Sequence, residues 1–227
     1  MTGQNASLPD GARVRDLAAD AVVDERGDAV VSGRCYREET FESLVVRTAP
    51  GARFVLDDVT FDRCRTRSGF FFTSVSVLRE VAFVDLDCGD ALHVSARTPL
   101  EDVTVAGARP SMLWIRPYPT DTGDVVLEPV LDITRYAGEV SITGVRTDGI
   151  VLDPGRHVVV RRALLDEVDW TGLGLGRTCF WRLMARKVAV DGVPEGIVSV
   201  PSGNDRAVRD LEVLRAHGHV VVPRAEK

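Results

Sequence analysis

The sequence lacks the features that mark several large classes of protein. It contains no run of 18 apolar residues, which argues against a transmembrane helix. Its first ten residues have neither the basic stretch nor the apolar stretch of a secretory signal. Four cysteines without a C-x-x-C pair match neither a disulfide framework nor a zinc site. We therefore expect a cytoplasmic protein with free thiols, no bound metal, no cofactor and no contact with a membrane.

Basic residues are too few for a protein that binds nucleic acid. The chain has 28 Lys and Arg residues against 34 Asp and Glu residues, which gives a net charge of −6. Binding to phosphate backbones requires the opposite balance. Apolar residues make up 44% and charged residues 27%, so a chain of 227 residues is able to bury a core of its own. The composition indicates a folded, acidic domain without a nucleic-acid partner.

What the sequence does contain is a repeat of 22 residues. Segments 54–64, 76–86 and 98–108 align at this offset. The aligned columns are Leu56, Leu78 and Leu100; Val59, Val81 and Val103; Phe61, Phe83 and Val105; and Cys64, Leu86 and Ala108. Their β-branched and aromatic residues alternate with polar ones, which is typical of strands. At an offset of 20, residues 40–44 match residues 60–64 and extend the repeat towards the N-terminus.

The length of the unit selects the architecture. A unit of 20–22 residues is too short for the helix pair of a helical solenoid, and the leucine-rich signature is absent. Three short strands with corners use about this length at roughly 3.3 Å per residue. We predict an all-β fold, a single-stranded right-handed parallel β-helix with coils of about 20–22 residues. It follows an N-terminal cap segment over 1–28 and occupies 29–168, with a regular core at 40–114 and a loop at 117–123.

Three short segments carry a resemblance to known families. TFESL, TFDRC and AFVDL, centred on Phe41, Phe61 and Phe83, resemble pentapeptide-repeat units. The match covers one segment per coil, and the whole is more similar to the irregular right-handed β-helices of the pectate-lyase type. That resemblance implies a carbohydrate-active enzyme of the lyase, hydrolase or epimerase kind. Some pentapeptide-repeat proteins are acidic mimics of DNA that engage topoisomerases, but −6 is a modest charge for such a role.

The pattern loosens after residue 114. Residues 140–145 resemble 104–108, and 157–160 are expected to form the next coil. Residues 169–227 are predicted to form irregular final coils and a small helical cap over the open end of the stack. Its helix spans Asp205–Ala216, is capped by Ser202 or Asn204 and ends at Gly218. One face of this helix is expected to carry Val208, Leu211 and either Leu214 or Arg215. Phe180–Val190 fits a helix and a strand equally well, and 220–222 resemble an edge strand.

Two groups of acidic residues are candidates for catalysis. The 22-residue offset stacks Asp58, Glu80 and Asp102 in one column, and a second group contains Asp85, Asp87 and His93. Stacked carboxylates are able to hold Ca²⁺ or to act as acid and base on a polysaccharide, and a histidine beside carboxylates is able to act as a base. Both groups also fit a solvated surface turn.

Aromatic residues form a candidate binding surface. Phe70, Leu92 and Trp114 fall in one more 22-residue column, so alternate residues of 70–72 point inward and outward. Exposed Phe71, Trp114 and Tyr118 on the flank of a β-helix suit stacking on sugars or contact with a protein. The loop at 117–123 is equally able to cover them.

No set of residues in the sequence converges on a recognisable catalytic motif. We expect a non-catalytic binding or scaffold protein that acts through a protein partner or through self-association. The alternative is a carbohydrate-active enzyme that uses the surface carboxylates. A third possibility is an immunity or regulatory partner of another protein, which docks through 205–218.

Overall fold

The 22-residue repeat forms successive coils of a parallel β-solenoid. The computed structural model describes residues 14–119 and 126–220. About six coils stack on one another, each crossing up to three parallel sheets, which confirms the predicted fold class. Residues 120–123 of the predicted loop at 117–123 lie outside the described part of the chain.

Most strands are short and each coil changes direction at corners between them. In chain order the strands are β1 (Val14–Arg15), β2 (Val22–Val23), β3 (Ala29–Arg37), β4 (Thr40–Ser43), β5 (Phe54–Asp62), β6 (Arg65–Ser68), β7 (Phe71–Phe72), β8 (Ser76–Val84), β9 (Ala91–Ser95), β10 (Leu100–Glu101), β11 (Val103–Ala106), β12 (Met112–Arg116), β13 (Leu131–Asp132), β14 (Glu139–Thr143), β15 (Ile150–Val151), β16 (His157–Arg161) and β17 (Glu195–Ser199). The α-helices are α1 (Leu164–Glu167), α2 (Phe180–Val190) and α3 (Asp205–Ala216).

The strands form three sheets. Sheet A has the order β1-β4-β6, and sheet C has the order β7-β9-β12-β14-β17-β16. Sheet B is the longest, with the order β2-β3-β5-β8-β11-β13-β15, and β10 pairs with β8. Within sheet B, Leu56 pairs with Leu78 and Leu78 with Leu100, so the columns predicted from the 22-residue offset are confirmed.

The interior is a continuous column of stacked apolar side chains. The rings of Phe61 and Phe83 are parallel within 8°, with centroids 5.6 Å apart. Phe41 lies edge-on to Phe61, and Cys64 is fully buried beside them. Because alternate residues of a strand face opposite sides, the period-two pattern of the repeat places these residues inside.

The 20-residue match between segments 40–44 and 60–64 is wrong in register. β3 pairs with β5, so that Tyr36 and not Phe41 stands opposite Phe61. Phe41 lies in sheet A, where it stands opposite Thr66. Tyr36 and Phe61 are separated by 25 residues, because the chain makes a longer corner before β5 than it makes in the next two coils.

The C-terminal part departs from the predicted coils. β14 pairs with β12 in sheet C and not with β11 in sheet B, so the likeness of 140–145 to 104–108 is not a structural equivalence. The segment predicted to form the next coil, β16, runs antiparallel to β17, which inserts between β14 and β16. Residues distant in sequence therefore complete sheet C.

The helices lie on the outer face of the antiparallel strands β16 and β17. Phe180–Val190 is helical, which resolves the ambiguity in its pattern. In α3 the side chain of Asn204 caps the N-terminus, and Ala207, Leu211 and Leu214 are buried, whereas Val208 is exposed. Leu211 and Leu214 join outward-facing Val158, Val160 and Val198 in a second apolar core. The helices thus cover the outer face of β16 and β17, the last two strands of sheet C. Val220 is not in a strand, and 221–222 lie outside the described residues.

Candidate binding site on sheet C

The stacked acids occupy a column of bends in sheet B. Asp58, Glu80 and Asp102 have left-handed backbones, with φ of 55°, 51° and 60°, and all three are exposed. In the preceding coil the same place in the register holds Gly33, with φ of 61°. Residues with short polar side chains, and glycine above all, tolerate this conformation best. The bend explains why glycine or a polar residue recurs here and no β-branched one.

Charges beside this column are neutralised across the coils. The Nε of Arg79 donates a hydrogen bond to Glu101 at 2.8 Å, and the guanidinium lies 3.5 Å from the carboxylate of Asp57. The positive member of the ladder therefore sits between two negative ones. This arrangement stabilises stacked strands and leaves no obvious acid–base pair.

The second acidic group is dispersed over different faces. Asp85 lies at a left-handed turn after β8 and accepts a hydrogen bond from the backbone N–H of Ala108 at 2.7 Å. Asp87 is held between Arg65 and Arg109, at 3.0 Å and 2.9 Å. His93 lies in β9, on the outer face of sheet C. Within the described ranges no three His, Cys, Asp or Glu side chains are grouped as ligands of a metal ion.

The aromatic candidates, in contrast, come together on the outer face of sheet C. Phe71 stands opposite His93, and His93 stands opposite Trp114. The predicted column of Phe70, Leu92 and Trp114 is therefore wrong by one residue, because the spacing is 22 between the first two coils and 21 between the next two. Phe72 is fully buried and Phe71 points outward, as the alternation predicted.

Tyr118 and Arg116 lie beside the row formed by Phe71, His93 and Trp114. The ring of Tyr118 lies 4.5 Å from that of Phe71, and its hydroxyl is 3.2 Å from Nδ1 of His93. The guanidinium of Arg116 lies 4.2 Å from the ring centroid of Trp114 and 4.9 Å from that of Tyr118. Burial and the nearby charge of Arg116 lower the pKa of His93 below its usual value, so its ring is predominantly neutral at pH 7. The surface combines flat rings with one fixed cation.

Next to Trp114, a groove lies between the outer face of sheet C and helix α2. This sheet C groove has a volume of about 380 Å³. Its lining comprises Met112, Trp114, Glu139, Val140, Ser141, Phe180, Met184, Lys187, Val198, Ser199 and Pro201. The floor comes from β12, β14 and β17, and one wall comes from α2. The groove exists because the helices cover only the C-terminal part of sheet C.

Lys187 is the principal charged group inside the groove. Its Nζ donates a hydrogen bond to the Oγ of Ser141 at 2.6 Å and lies 5.7 Å from the ring centroid of Trp114. Burial lowers the pKa of Lys187, Asp191 opposes the shift, and the charge of Arg116 adds to it. Neither Lys187 nor Arg116 has a carboxylate oxygen within 4 Å among the described residues. The indole Nε1 of Trp114 is enclosed and finds no acceptor there either.

A second concavity, at the N-terminal end, differs in character. It has a volume of about 740 Å³ and is lined by residues such as Arg15, Asp20 and Glu39. Arg15 bridges the carboxylates of Asp20 and Glu39, at 2.9 Å and 2.8 Å. Its charged groups satisfy one another, whereas the cations of the sheet C groove lack such partners.

Of the residues that line the sheet C groove, sequence patterns predicted only Trp114. Phe71, Trp114 and Tyr118 were predicted as a binding surface, and the structure brings them onto one face. Lys187 and Met184 were not predicted, because they come from a segment that fitted a helix and a strand equally well. The only signal that pointed to Lys187 was its rarity, since almost all the basic residues are arginines.

The chain is therefore a parallel β-solenoid with an aromatic and cationic surface on one flank. Comparison with family models, with curated proteins and with solved structures gives no significant match to the chain. Of the helices in the described residues, none has the length and apolar character needed to cross a membrane.

Proposed function

We propose that this chain is a non-catalytic binding protein that contacts a protein partner, or a second copy of itself, through the outer face of sheet C. The observation that carries the proposal is the unbroken aromatic ladder of Phe71, His93 and Trp114 that leads into the sheet C groove. Aromatic residues and arginine are the side chains that contribute most at protein interfaces. Here they lie on one flank of a rigid sheet.

The rigidity of the solenoid supports this role. Trp114 and Arg116 project from β12, which pairs with β9 on one side and β14 on the other. Strands held on both sides present their side chains in a fixed order. A preformed surface loses little conformational entropy when a partner binds, and this favours affinity.

The placement of the acids also supports a non-catalytic role. Asp58, Glu80 and Asp102 line neither of the two concavities described above. Their left-handed backbones give the column a conformational reason to be polar. Asp87 is engaged by two arginines, so it is poorly placed to accept a proton from a substrate.

The test compares two double variants of the full chain. Trp114→Ala with Met184→Glu disrupts the groove, and Glu80→Gln with Asp102→Asn neutralises the acid column as a matched control. Light scattering after gel filtration measures self-association, and capture from an extract of the source cells measures binding to another protein. We expect the groove variant alone to lose the associated species. Equal association by wild type and groove variant, with circular dichroism showing both folded, contradicts the proposal.

A carbohydrate-active enzyme is the second candidate. The rings of Phe71, Trp114 and Tyr118 favour it, because flat aromatic faces stack on sugar rings, and so does the resemblance to pectate-lyase-type β-helices. A thermal-shift screen with sugars and nucleotide sugars tests it. A ligand at 100 times its Kd stabilises the folded state by about 2.7 kcal/mol. A shift that disappears in the acid-column variant and not in the groove variant favours the enzyme.

A further inference from the structure

We propose that the sheet C groove is a recognition site for an acidic and apolar peptide segment of the partner. A carboxylate of that segment lies beside Lys187 and Trp114, and its apolar neighbour packs between Met112 and Met184. This inference rests on the proposed function and gives the chemistry of the partner.

Among the described residues, the enclosed polar side-chain atoms of the groove and of neighbouring Arg116 that lack partners are donors. The ammonium of Lys187 has three N–H bonds, and only the one to Ser141 is used among the described residues. The indole Nε1 of Trp114 and the Nε of Arg116 are enclosed without acceptors. Enclosed donors without acceptors are costly, and a carboxylate offers about four acceptor sites. An anion with several hydrogen-bond acceptor atoms therefore satisfies these donors.

The remaining walls are apolar. Val198 contributes to the floor with an outward-facing side chain, and Phe180 and Met184 project from α2. Methionine side chains adapt their shape to varied apolar groups. A volume of about 380 Å³ is near the lower end of the range for ligand sites, which is roughly 300–1,000 Å³. It suits a short segment and not a folded surface.

Charge complementarity selects an acidic partner at this place. The protein as a whole carries a charge of −6, so an acidic segment is repelled by most of its surface. Lys187 and Arg116 form a local exception, because no described carboxylate pairs with them. Two carboxylates lie in this region: Glu139 is among the lining residues, and Asp191, whose charge acts on Lys187, accepts a hydrogen bond from Thr143 at 3.0 Å. An anion bound beside Lys187 offsets the desolvation of its ammonium group.

The experiment uses two peptides that differ only in charge. Acetyl-Gly-Leu-Glu-Leu-Gly-amide and its Gln counterpart are titrated into the ¹⁵N-labelled full chain, and the three tryptophan indole N–H signals are followed by NMR. Trp114→Phe assigns the Trp114 signal. Trp170 and Trp181, which are buried, serve as internal controls. We expect only the Trp114 signal to move, and the Glu peptide to bind at least about tenfold more tightly than the Gln peptide.

Lys187→Met supplies the matched variant, since methionine keeps the apolar stem and removes the charge. We expect this variant to bind both peptides equally. Equal affinities in the wild type, or an unmoved Trp114 signal at millimolar Glu peptide, overturn the inference. If Lys187→Met still associates with the partner while Trp114→Ala with Met184→Glu does not, the acidic-segment inference fails and the proposed function stands. If both variants associate as the wild type does, the proposed function fails with it.

Discussion

Acid should weaken the fold through one buried histidine. His157, the first residue of β16, is fully buried. Its Nδ1 accepts a hydrogen bond from the backbone N–H of Asp153 at 3.3 Å, so the proton of the neutral ring is assigned to Nε2, which has no partner among the described residues. Burial is the main cause that lowers the pKa of His157 to about 4.

The size of the effect follows from the two pKa values. An unfolded histidine titrates near pH 6.5, so between pH 6.5 and pH 4 the unfolded chain takes up a proton that the folded chain does not. His157 therefore does not reduce the free energy of unfolding above pH 6.5, and reduces it progressively as the pH is lowered towards 4. At 1.36 kcal/mol for each pKa unit, going from pH 7 to pH 4.5 removes about 2 kcal/mol from the free energy of unfolding. Carboxylates whose pKa is lowered in the folded state add to the loss near pH 4.5, so the share of His157 is obtained by comparison with a variant that lacks it.

Urea unfolding of the wild type and of His157→Gln at both pH values measures the effect. We expect the variant to lose about 2 kcal/mol less than the wild type between pH 7 and pH 4.5, whatever its stability at pH 7. His217→Gln, which removes an exposed histidine, serves as the control substitution. If His157→Gln retains the full pH dependence, the reasoning from burial is refuted.

Four further substitutions, at three positions, test the architecture, each by its effect on the denaturant midpoint. Phe61→Ala removes a ring that packs against Tyr36, Phe41 and Phe83 and should cost about 3–5 kcal/mol; a cost below about 1 kcal/mol would contradict a close-packed interior column. Glu80→Gly should stabilise the fold by up to about 1 kcal/mol and Glu80→Val should weaken it, because a β-branched residue tolerates the left-handed conformation poorly; the reverse order would indicate that the carboxylate itself matters. Asn204→Ala removes the side chain that accepts a hydrogen bond from the N–H of Ala207, and should cost about 1 kcal/mol; no loss would mean that the cap is dispensable.

The coils that were predictable from the sequence are those of constant length. Between Leu56 and Leu100 the corners keep the same number of residues, so interior side chains recur every 22 positions and the columns of sheet B are visible in the letters alone. The coil before Phe54 has a longer corner, and the spacing from His93 to Trp114 is one residue shorter. A change in corner length shifts the register of one sheet without disturbing another, so alignment at a single offset misplaced Phe41 and Trp114.

The groove was predictable only in part, for a topological reason. Aromatic residues beside a strand signal an exposed platform, and Phe71, Trp114 and Tyr118 were found in this way. The opposite wall requires β17 to pair antiparallel with β14 and to place α2 above Ser141. That pairing joins segments more than 50 residues apart, and no local pattern encodes it. Lys187 therefore became a site residue only once the tertiary structure was known.

The account rests on the claim that the outer face of sheet C, and not the acid column of sheet B, is the binding surface. Hydrogen–deuterium exchange of the free protein and of its isolated complex tests this claim most directly. We predict slower exchange on binding in β12, β14 and α2, with no change around Asp58, Glu80 and Asp102. Protection that appears at the acid column and leaves β12 and α2 unchanged would contradict the account.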